Sequence, residues 1–599
     1  MRAFELRAGH ELLARLSPGA TVAEAQRELD GIARSSEVEG WLEGRRLGVR
    51  PLKEEIVGDS AHALELLLAA VAVVLAIACA NLAQLLLARS DRRLNEFATR
   101  KAVGAGSSRL FRMALLESLL WSAAGGVGAV VLAHWMLPAM LALAPTEIPR
   151  IAESAINGRV LLAAVLLTVA TGCLFGMAPA LRLSRTSVMQ AMKRGPGTLT
   201  AQKTWFHSAL VAGQIASSVA LCVLAGLIGR SYAALLPIEP GFEPASRTVL
   251  HLVLPTDRYP EPRDRAGRWD ELVRRVAELP GIVAAGFGTN IPFGHDDGFR
   301  SITGANDSEA GDNAERLQAD LRAISPNFFR LLQMPLVEGR VFTSADGPNS
   351  AGVAIVNQTL ARKLAPQGRV LGRTVKLGGS AALPRYQIVG VVSDARSSGS
   401  SAEIWDEVYI PQTQSTASIG YVIVESEIAP SVLDRMLREE IRAWAPELPE
   451  TPWLTATRID DLMSRALAGP RFSAVLSGAF STMALLLAAT GVFGLVAYSV
   501  SQRYREFGIR AALGARPRDL LVTTVRSAAA VTALGVGAGL AMTIYLVRFI
   551  KSFLYAIEPL DVPTFLGAAA VMLVAAGLAA YLPARRAARA DPMATLRYE

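Results

Sequence analysis

The groups in this 599-residue sequence that could do chemistry are few, and their spacing points away from catalysis. Its three cysteines, Cys79, Cys173 and Cys222, all fall in apolar runs, where a small apolar side chain is their expected role. The six histidines are scattered, with no H-x-x-x-H pair. Neither a disulfide framework nor a metal site is expected. No G-x-x-x-x-G-K-[ST] loop occurs, so nucleotide-driven work has to come from another polypeptide. What remains are opposite charges at helical spacing. Glu96 and Arg100, and again Glu506 and Arg510, stand four apart, which puts both side chains on one helix face. Glu117 and Arg526 lie inside apolar runs, where an ionisable group is a functional candidate by default. They could pair across matching helices, or each could snorkel to the nearby interface. No cofactor is expected, and the chain is not expected to be an enzyme.

The elements that carry these residues are set by composition. The chain is 51% apolar and 19% charged, against about 25% charged in an ordinary soluble domain. The apolar excess forms about seven runs, near 63–88, 110–136, 159–181, 207–233, 472–499, 521–547 and 562–582. Each is long enough to cross a hydrocarbon core about 30 Å thick. Basic residues concentrate in alternate connections: Arg89 to Arg109, Arg182 to Lys203, Arg503 to Arg518, and Arg585 to Arg597. The positive-inside rule places these four segments in the cytoplasm, which sends 1–60 and 234–471 to the outside. Topology therefore accounts for the net charge of +8 without nucleic acid. Residues 1–60 lack the apolar core of a leader, so an export helix ahead of them is the simplest expectation.

The two halves repeat. Asn95-Glu96-Phe97-Ala98-Thr99-Arg100-Lys101-Ala102-Val103-Gly104-Ala105 aligns with Arg505-Glu506-Phe507-Gly508-Ile509-Arg510-Ala511-Ala512-Leu513-Gly514-Ala515. Ala178-Pro179-Ala180-Leu181-Arg182 aligns with Leu582-Pro583-Ala584-Arg585-Arg586 at nearly the same offset. Two copies of one unit fused head to tail do in one chain what a homodimer does with two. Each E-F-x-x-R-x-x-x-G-A stretch reads as a short cytoplasmic helix, ended by Gly104 or Gly514. Ser107 or Ser108 would cap the next helix and Pro517 would open its counterpart. Phe97 and Phe507 would anchor a cytoplasmic partner.

Segment 234–471 alternates strand and helix patterns. Strands are expected at 249–254, 282–287, 353–356, 386–392, 408–410, 421–425 and 454–458, with helices at 268–279 and 431–444. Two β-α-β units flanking a β-rich insertion would give this order. Residues 1–60 carry a partial echo, a helix at 22–33 and a strand at 47–52.

These motifs resemble the cytoplasmic signature of the FtsX/MacB-type permeases, the membrane subunits of mechanotransmitting ABC transporters. The duplicated orphan permeases, with two fused units, are most similar. Ala78-Cys79-Ala80-Asn81-Leu82, Ile324-Ser325-Pro326-Asn327-Phe328-Phe329 and the closing Leu596-Arg597-Tyr598-Glu599 agree with that pattern. The resemblance covers the whole chain except the family's first helix and the start of its first outer domain. It implies a polytopic α-helical membrane protein of about seven spans, with tandem permease units and a large mixed α/β extracytoplasmic domain. The expected divisions are 1–60, the end of a first periplasmic domain; 61–195, a first permease unit; 196–233, an export helix; 234–470, the periplasmic domain; and 471–599, a second permease unit. It further implies an inner-membrane location, a cytoplasmic C-terminus, a cytoplasmic P-loop ATPase dimer as partner, and a periplasmic adaptor or partner protein. The ATPase-coupling residues would be Glu96, Phe97, Arg100, Gly104 and Ala105, with Glu506, Phe507, Arg510, Gly514 and Ala515. Export of a substrate from the periplasmic side and regulation of a periplasmic or wall partner are both compatible with it.

Overall fold

A computed structural model describes residues 14–33, 48–92, 96, 99–100, 103, 105–145, 151–185, 201–237, 239–293, 299–304, 317–366, 368–377, 385–396, 404–446, 448, 455–502 and 517–588. The chain divides into two units, Met1–Gly58 with Pro237–Leu467 and Asp59–Leu236 with Ala468–Glu599. Helix α1 (Val22–Ala33) opens on a reciprocal cap. The Thr21 N–H donates to the Glu24 carboxylate at 2.8 Å, and the Glu24 N–H donates to the Thr21 hydroxyl at 3.3 Å. Residues 48–51 form no strand, because α2 (Leu52–Arg92) begins at once.

Helices α3 (Ser107–Leu143) and α4 (Gly158–Arg185) make a hairpin through small residues. A Cβ added at Gly126, Gly172 or Gly176 would come within 2.8, 2.8 or 2.6 Å of Thr168, Ser122 or Ser118. Only glycine lets the two backbones approach that closely. The cap of α3 is Gly106, with no side-chain hydrogen bond, so neither expected serine caps it. Both serines lie inside the first turn instead. Asn157 caps α4, its Oδ1 accepting from the Arg159 and Val160 N–H groups at 3.1 Å each. Helix α5 (Ala201–Leu235) follows.

The β-rich unit runs β1 (Arg247–Val253), α6 (Pro262–Ala277), β2 (Ile282–Gly288), β3 (Phe299–Gly304), β4 (Leu317–Ile324), α7 (Phe328–Leu331), β5 (Leu336–Gly339), β6 (Val353–Asn357), α8 (Gln358–Leu364), β7 (Thr374–Leu377), β8 (Arg385–Val392), β9 (Glu407–Pro411), β10 (Ile419–Ser426), α9 (Pro430–Trp444), β11 (Thr457–Arg458) and α10 (Ile459–Ala466). Strands β11, β1, β10 and β2 lie side by side, all antiparallel. Helices α6 and α9 cover one face. Trp269, Leu272 and Val276 of α6 and Leu433, Leu437, Ile441 and Trp444 of α9 pack on Leu250, Leu252, Phe287, Val422 and Val424. Those helix positions recur every three or four residues, the stripe an amphipathic helix buries.

Between β2 and β10 a second body is inserted. Strands β4, β3, β7, β8, β6 and β9 pair in that order, and β9 returns to pair with β4. The strands thus close into a ring, which removes unpaired edges. Val356, Val375, Ile388, Val408 and Ile410 share one of its cores. The opposite face of the ring packs with Val249, Tyr421 and Ile423 from the four-stranded sheet.

Three long helices complete the chain: α11 (Ala468–Gln502), α12 (Pro517–Leu546) and α13 (Val562–Ala588). They surround α5. Val211, Ile215, Val219, Val223 and Leu227 form an i,i+4 ridge on α5, matched by Val492, Val496 and Val500 on α11 and by Met572, Ala576, Ala580 and Ala584 on α13. Such ridges seat in one another's grooves. Gly535 and Gly539 of α12 lie against α5, where a Cβ would meet Ile215 at 2.7 Å and the Ala216 carbonyl at 2.6 Å.

Among the described residues six helices are long and apolar enough to cross a membrane: Leu64–Leu86, Ser107–Leu143, His207–Leu235, Ile459–Ser501, Val525–Phe549 and Val562–Arg586. The remaining expected span is α4, whose apolar stretch Gly158–Leu174 is shorter. Beyond it, α4 continues through Pro179 to the basic Arg182 and Arg185.

Candidate coupling segment and the contacts behind it

Of the first proposed coupling residues, Glu96, Arg100 and Ala105 are described, while Phe97 and Gly104 lie outside the described residues. Glu96 and Arg100 form an ion pair at 2.7 Å, with side chains 39% and 44% exposed. Arg100 also reaches the Met113 sulfur on α3 at 3.2 Å. The Val103 N–H donates to the Thr99 carbonyl, and the Ala105 N–H to the Arg100 carbonyl at 2.9 Å. Ala105 packs on buried Leu110 beside Met113 and Ala114. Val103 is 85% exposed, an apolar side chain standing in the open next to an exposed ion pair. An exposed pair of this kind adds about 0–1 kcal/mol of stability. The whole of 503–516, with Glu506, Phe507, Arg510, Gly514 and Ala515, lies outside the described residues.

Glu117 is half-buried on α3, beside the Ser118 that receives Gly176. Arg526 is exposed on α12. Among the described residues no ion pair joins the two. Their helices have different neighbours, α3 packing on α4 and α12 on α5 and α13.

In the same unit, α2 meets α11 through polar atoms. The Asn81 carboxamide donates to the Leu487 carbonyl at 2.7 Å and the Thr490 hydroxyl at 3.1 Å. Gly491 sits beside it; a Cβ there would fall 2.9 Å from Asn81 Oδ1 and collide with Gln214 Oε1 of α5. Asn81 precedes Glu96 by the same number of residues as Gly491 precedes Glu506. Gln214 is 3% exposed, and neither polar atom of its side chain has a hydrogen-bond partner.

The β-rich unit holds a charged cluster that the sequence pattern did not single out. Arg322 is fully buried and pairs with Asp320 at 2.7 Å and Glu407 at 3.0 Å. The Tyr409 hydroxyl donates to the other Glu407 oxygen at 2.5 Å. Burial opposes the arginine's charge, yet Glu407 and Asp320 hold it protonated well above the ordinary range. Burial, then the Glu407 charge, keeps the Tyr409 phenol neutral. Parallel pairing of β4 with β9 sets Asp320 opposite Glu407 and Arg322 opposite Tyr409. The charges within the cluster balance through Arg322, while the buried Asp320 Oδ1 has no hydrogen-bond partner. No cluster of His, Cys, Asp and Glu that could hold a metal occurs among the described residues.

Residues 208–443 match the MacB-like periplasmic core domain, and residues 68–188 and 478–592 each match the FtsX-like permease C-terminal domain. The chain is a MacB/FtsX-type ABC permease. Over 355 residues the permease is 28% identical to the macrolide export ATP-binding/permease protein MacB of Marinobacter nauticus, covering 56% of this chain and 51% of that protein. It is 26% identical over 286 residues to the pyoverdine export ATP-binding/permease protein PvdT of Pseudomonas putida, covering 45% and 42%. The periplasmic region of MacB from Actinobacillus actinomycetemcomitans aligns with a TM-score of 0.27 at 14% identity, covering 39% of the permease and 96% of that chain. The permease spans about half the length of the curated relatives it matches. The regions it shares with known families are permease and periplasmic domains. It is accordingly a multi-pass inner-membrane protein with a large periplasmic domain of mixed sheet and helix.

Proposed function

We propose that this permease couples ATP hydrolysis by a separate cytoplasmic P-loop ATPase, working as a dimer, to motion of its periplasmic domain. That motion would export a substrate from the periplasmic side, with a periplasmic adaptor as a second partner. The observation that carries the reading is the exposed Glu96–Arg100 pair with Val103 beside it, placed between two apolar helices. Charge next to an apolar side chain is what a protein-docking surface needs. The same sequence recurs at Glu506 and Arg510, inside the second stretch that matches the permease domain. Two matched permease stretches, with Asn81 and Gly491 meeting at equivalent positions, support a fusion of two units. In this reading both coupling segments and the C-terminus face the cytoplasm, as the basic residues of those segments favour. The relatives named for export of macrolides and pyoverdine support the direction of transport.

The test is an affinity pull-down from native membranes, comparing the wild type with a Glu96→Lys, Glu506→Lys variant. Mass spectrometry should find a P-loop ATPase with the wild type and lose it with the variant. An intact, folded wild type that brings down no ATPase would overturn the coupling reading.

A further inference from the structure

Helix α5 leads directly into the periplasmic domain, as α11 leads out of it. Along most of its length α5 is held by the apolar i,i+4 ridge, with the Ser481 hydroxyl of α11 donating to the Cys222 sulfur at 3.1 Å. One turn near its end differs. Arg230 donates to the Asp561 carboxylate, and also to the Thr564 hydroxyl at 3.3 Å. The next residue, Ser231, accepts from the Tyr555 N–H at 2.6 Å and donates to the Tyr555 carbonyl at 3.3 Å. Two adjacent side chains of α5 thus grip both ends of the segment that leads into α13. One turn earlier, Gly226 lies under Thr564, where a Cβ would come within 2.7 Å of its methyl group.

Asp561 also caps α13, accepting from the Thr564 N–H at 3.0 Å. Capping does not require its charge. At the matching start of α4, the neutral Asn157 caps with two backbone N–H groups. The charge at 561 therefore answers Arg230. We propose that Arg230 and Ser231 form a clamp through which movement of the α12–α13 hairpin is delivered to α5, and through α5 to the periplasmic domain. These are positioning residues, and the proposal rests on the coupling function proposed above. Arg230 is 47% exposed, so the ion pair adds little stability of its own; its directional bonds, together with those of Ser231, fix the register of α5 against the start of α13.

The experiment reads tryptic cleavage of the periplasmic domain in native membranes, with and without ATP plus vanadate. Asp561→Asn keeps a capping oxygen, as Asn157 shows, and removes only the charge. In this variant and in Arg230→Gln, the nucleotide-dependent change in cleavage rate should shrink about fivefold, the low end of ordinary coupling between sites. Melting of the detergent-solubilised variants should stay close to wild type. The paired exchange Arg230→Asp, Asp561→Arg should recover part of the response. Should Asp561→Asn fail to fold, Ser231→Ala removes the second grip without touching the cap and should shrink the response likewise. Variants that keep the full nucleotide response overturn the clamp. A wild type with no nucleotide response overturns the coupling function itself, and the clamp with it.

Discussion

Asn81 on α2 and Gly491 on α11 occupy equivalent places in the two halves of the chain, and the structure sets them side by side. At a twofold axis a residue meets its own equivalent, and this pair meets as such a residue would. The asymmetry is chemical: one half supplies the carboxamide, and the other supplies the space for it. Gly491→Leu should therefore disrupt the packing of α2, α5 and α11, since its Cβ alone would collide with Gln214 and Asn81. Asn81→Ala should cost only about 1 kcal/mol. Thermal melts of the detergent-solubilised permease would show a large loss for the first and a small one for the second. Equal effects would refute the account.

Close approach of α3 and α4 yields a matched pair of substitutions. Gly172→Leu should separate the hairpin, because its Cβ would already press on Ser122 at 2.8 Å. Gly125→Leu should be tolerated, since nothing lies within 4 Å of a Cβ there. A cysteine cross-link between α3 and α4, formed in wild type and Gly125→Leu and lost in Gly172→Leu, is the expected pattern.

In the periplasmic domain, Arg322→Met should destabilise by about 3–5 kcal/mol, the cost of leaving buried carboxylates without their cation. Asp320 and Glu407 are both inaccessible to water, so no solvent can take the arginine's place. Chemical denaturation, followed by fluorescence of Trp269 and Trp444, would measure it. A loss below about 1 kcal/mol would mean that the site relaxes around the missing charge.

Asp346 supplies the pH dependence. Its carboxylate accepts from Arg340 at 2.7 and 2.8 Å and from the Thr343 N–H at 2.8 Å. The Arg340 bonds first, then the Thr343 N–H, hold its carboxyl below the ordinary aspartate value against the opposing effect of burial. A lowered carboxyl stabilises the fold above its unfolded pKa, and that contribution fades as pH falls through the lowered one. Asp346→Asn should therefore be less stable than wild type at neutral pH by about 1–3 kcal/mol. The gap should close in acid below the usual aspartate range. A gap that does not change with pH would assign the loss to packing instead of charge.

How far the sequence reveals the fold depends on which physical signal each element carries. The α6 and α9 stripes are legible because one helix face is apolar at its own period, and the strands at Val249, Ile282, Val353 and Val422 because each is a short apolar run. Strand β4 is not. Both of its faces are largely buried, and one of them carries Asp320 and Arg322, so its run reads as a charged loop. The signal that could have found it is the opposite-charge spacing Asp320-x-Arg322 set against Glu407-x-Tyr409, which makes sense only once the two strands lie parallel. Strands β3 and β7 are short and become strands by closing the ring. At the candidate coupling segment, the Glu96–Arg100 pair follows from spacing alone. Residue type named the serines as caps of α3, whereas the chain turns at Gly106, where no side chain takes part.

The inserted ring bears on how the periplasmic domain is made. Strands β1 and β2 do not pair with each other; β10 lies between them and is supplied only after the whole ring has been synthesised. During vectorial export the first β-α-β unit therefore emerges with its sheet edges open, and it must wait for its central strand. Exposed edges and long-range pairings are slow and prone to aggregation. The ring, whose strands are contiguous in the chain, can close first and bring β10 back to the waiting pair. Order of emergence then becomes order of assembly, and mutations that delay ring closure should harm biogenesis more than they harm the finished protein.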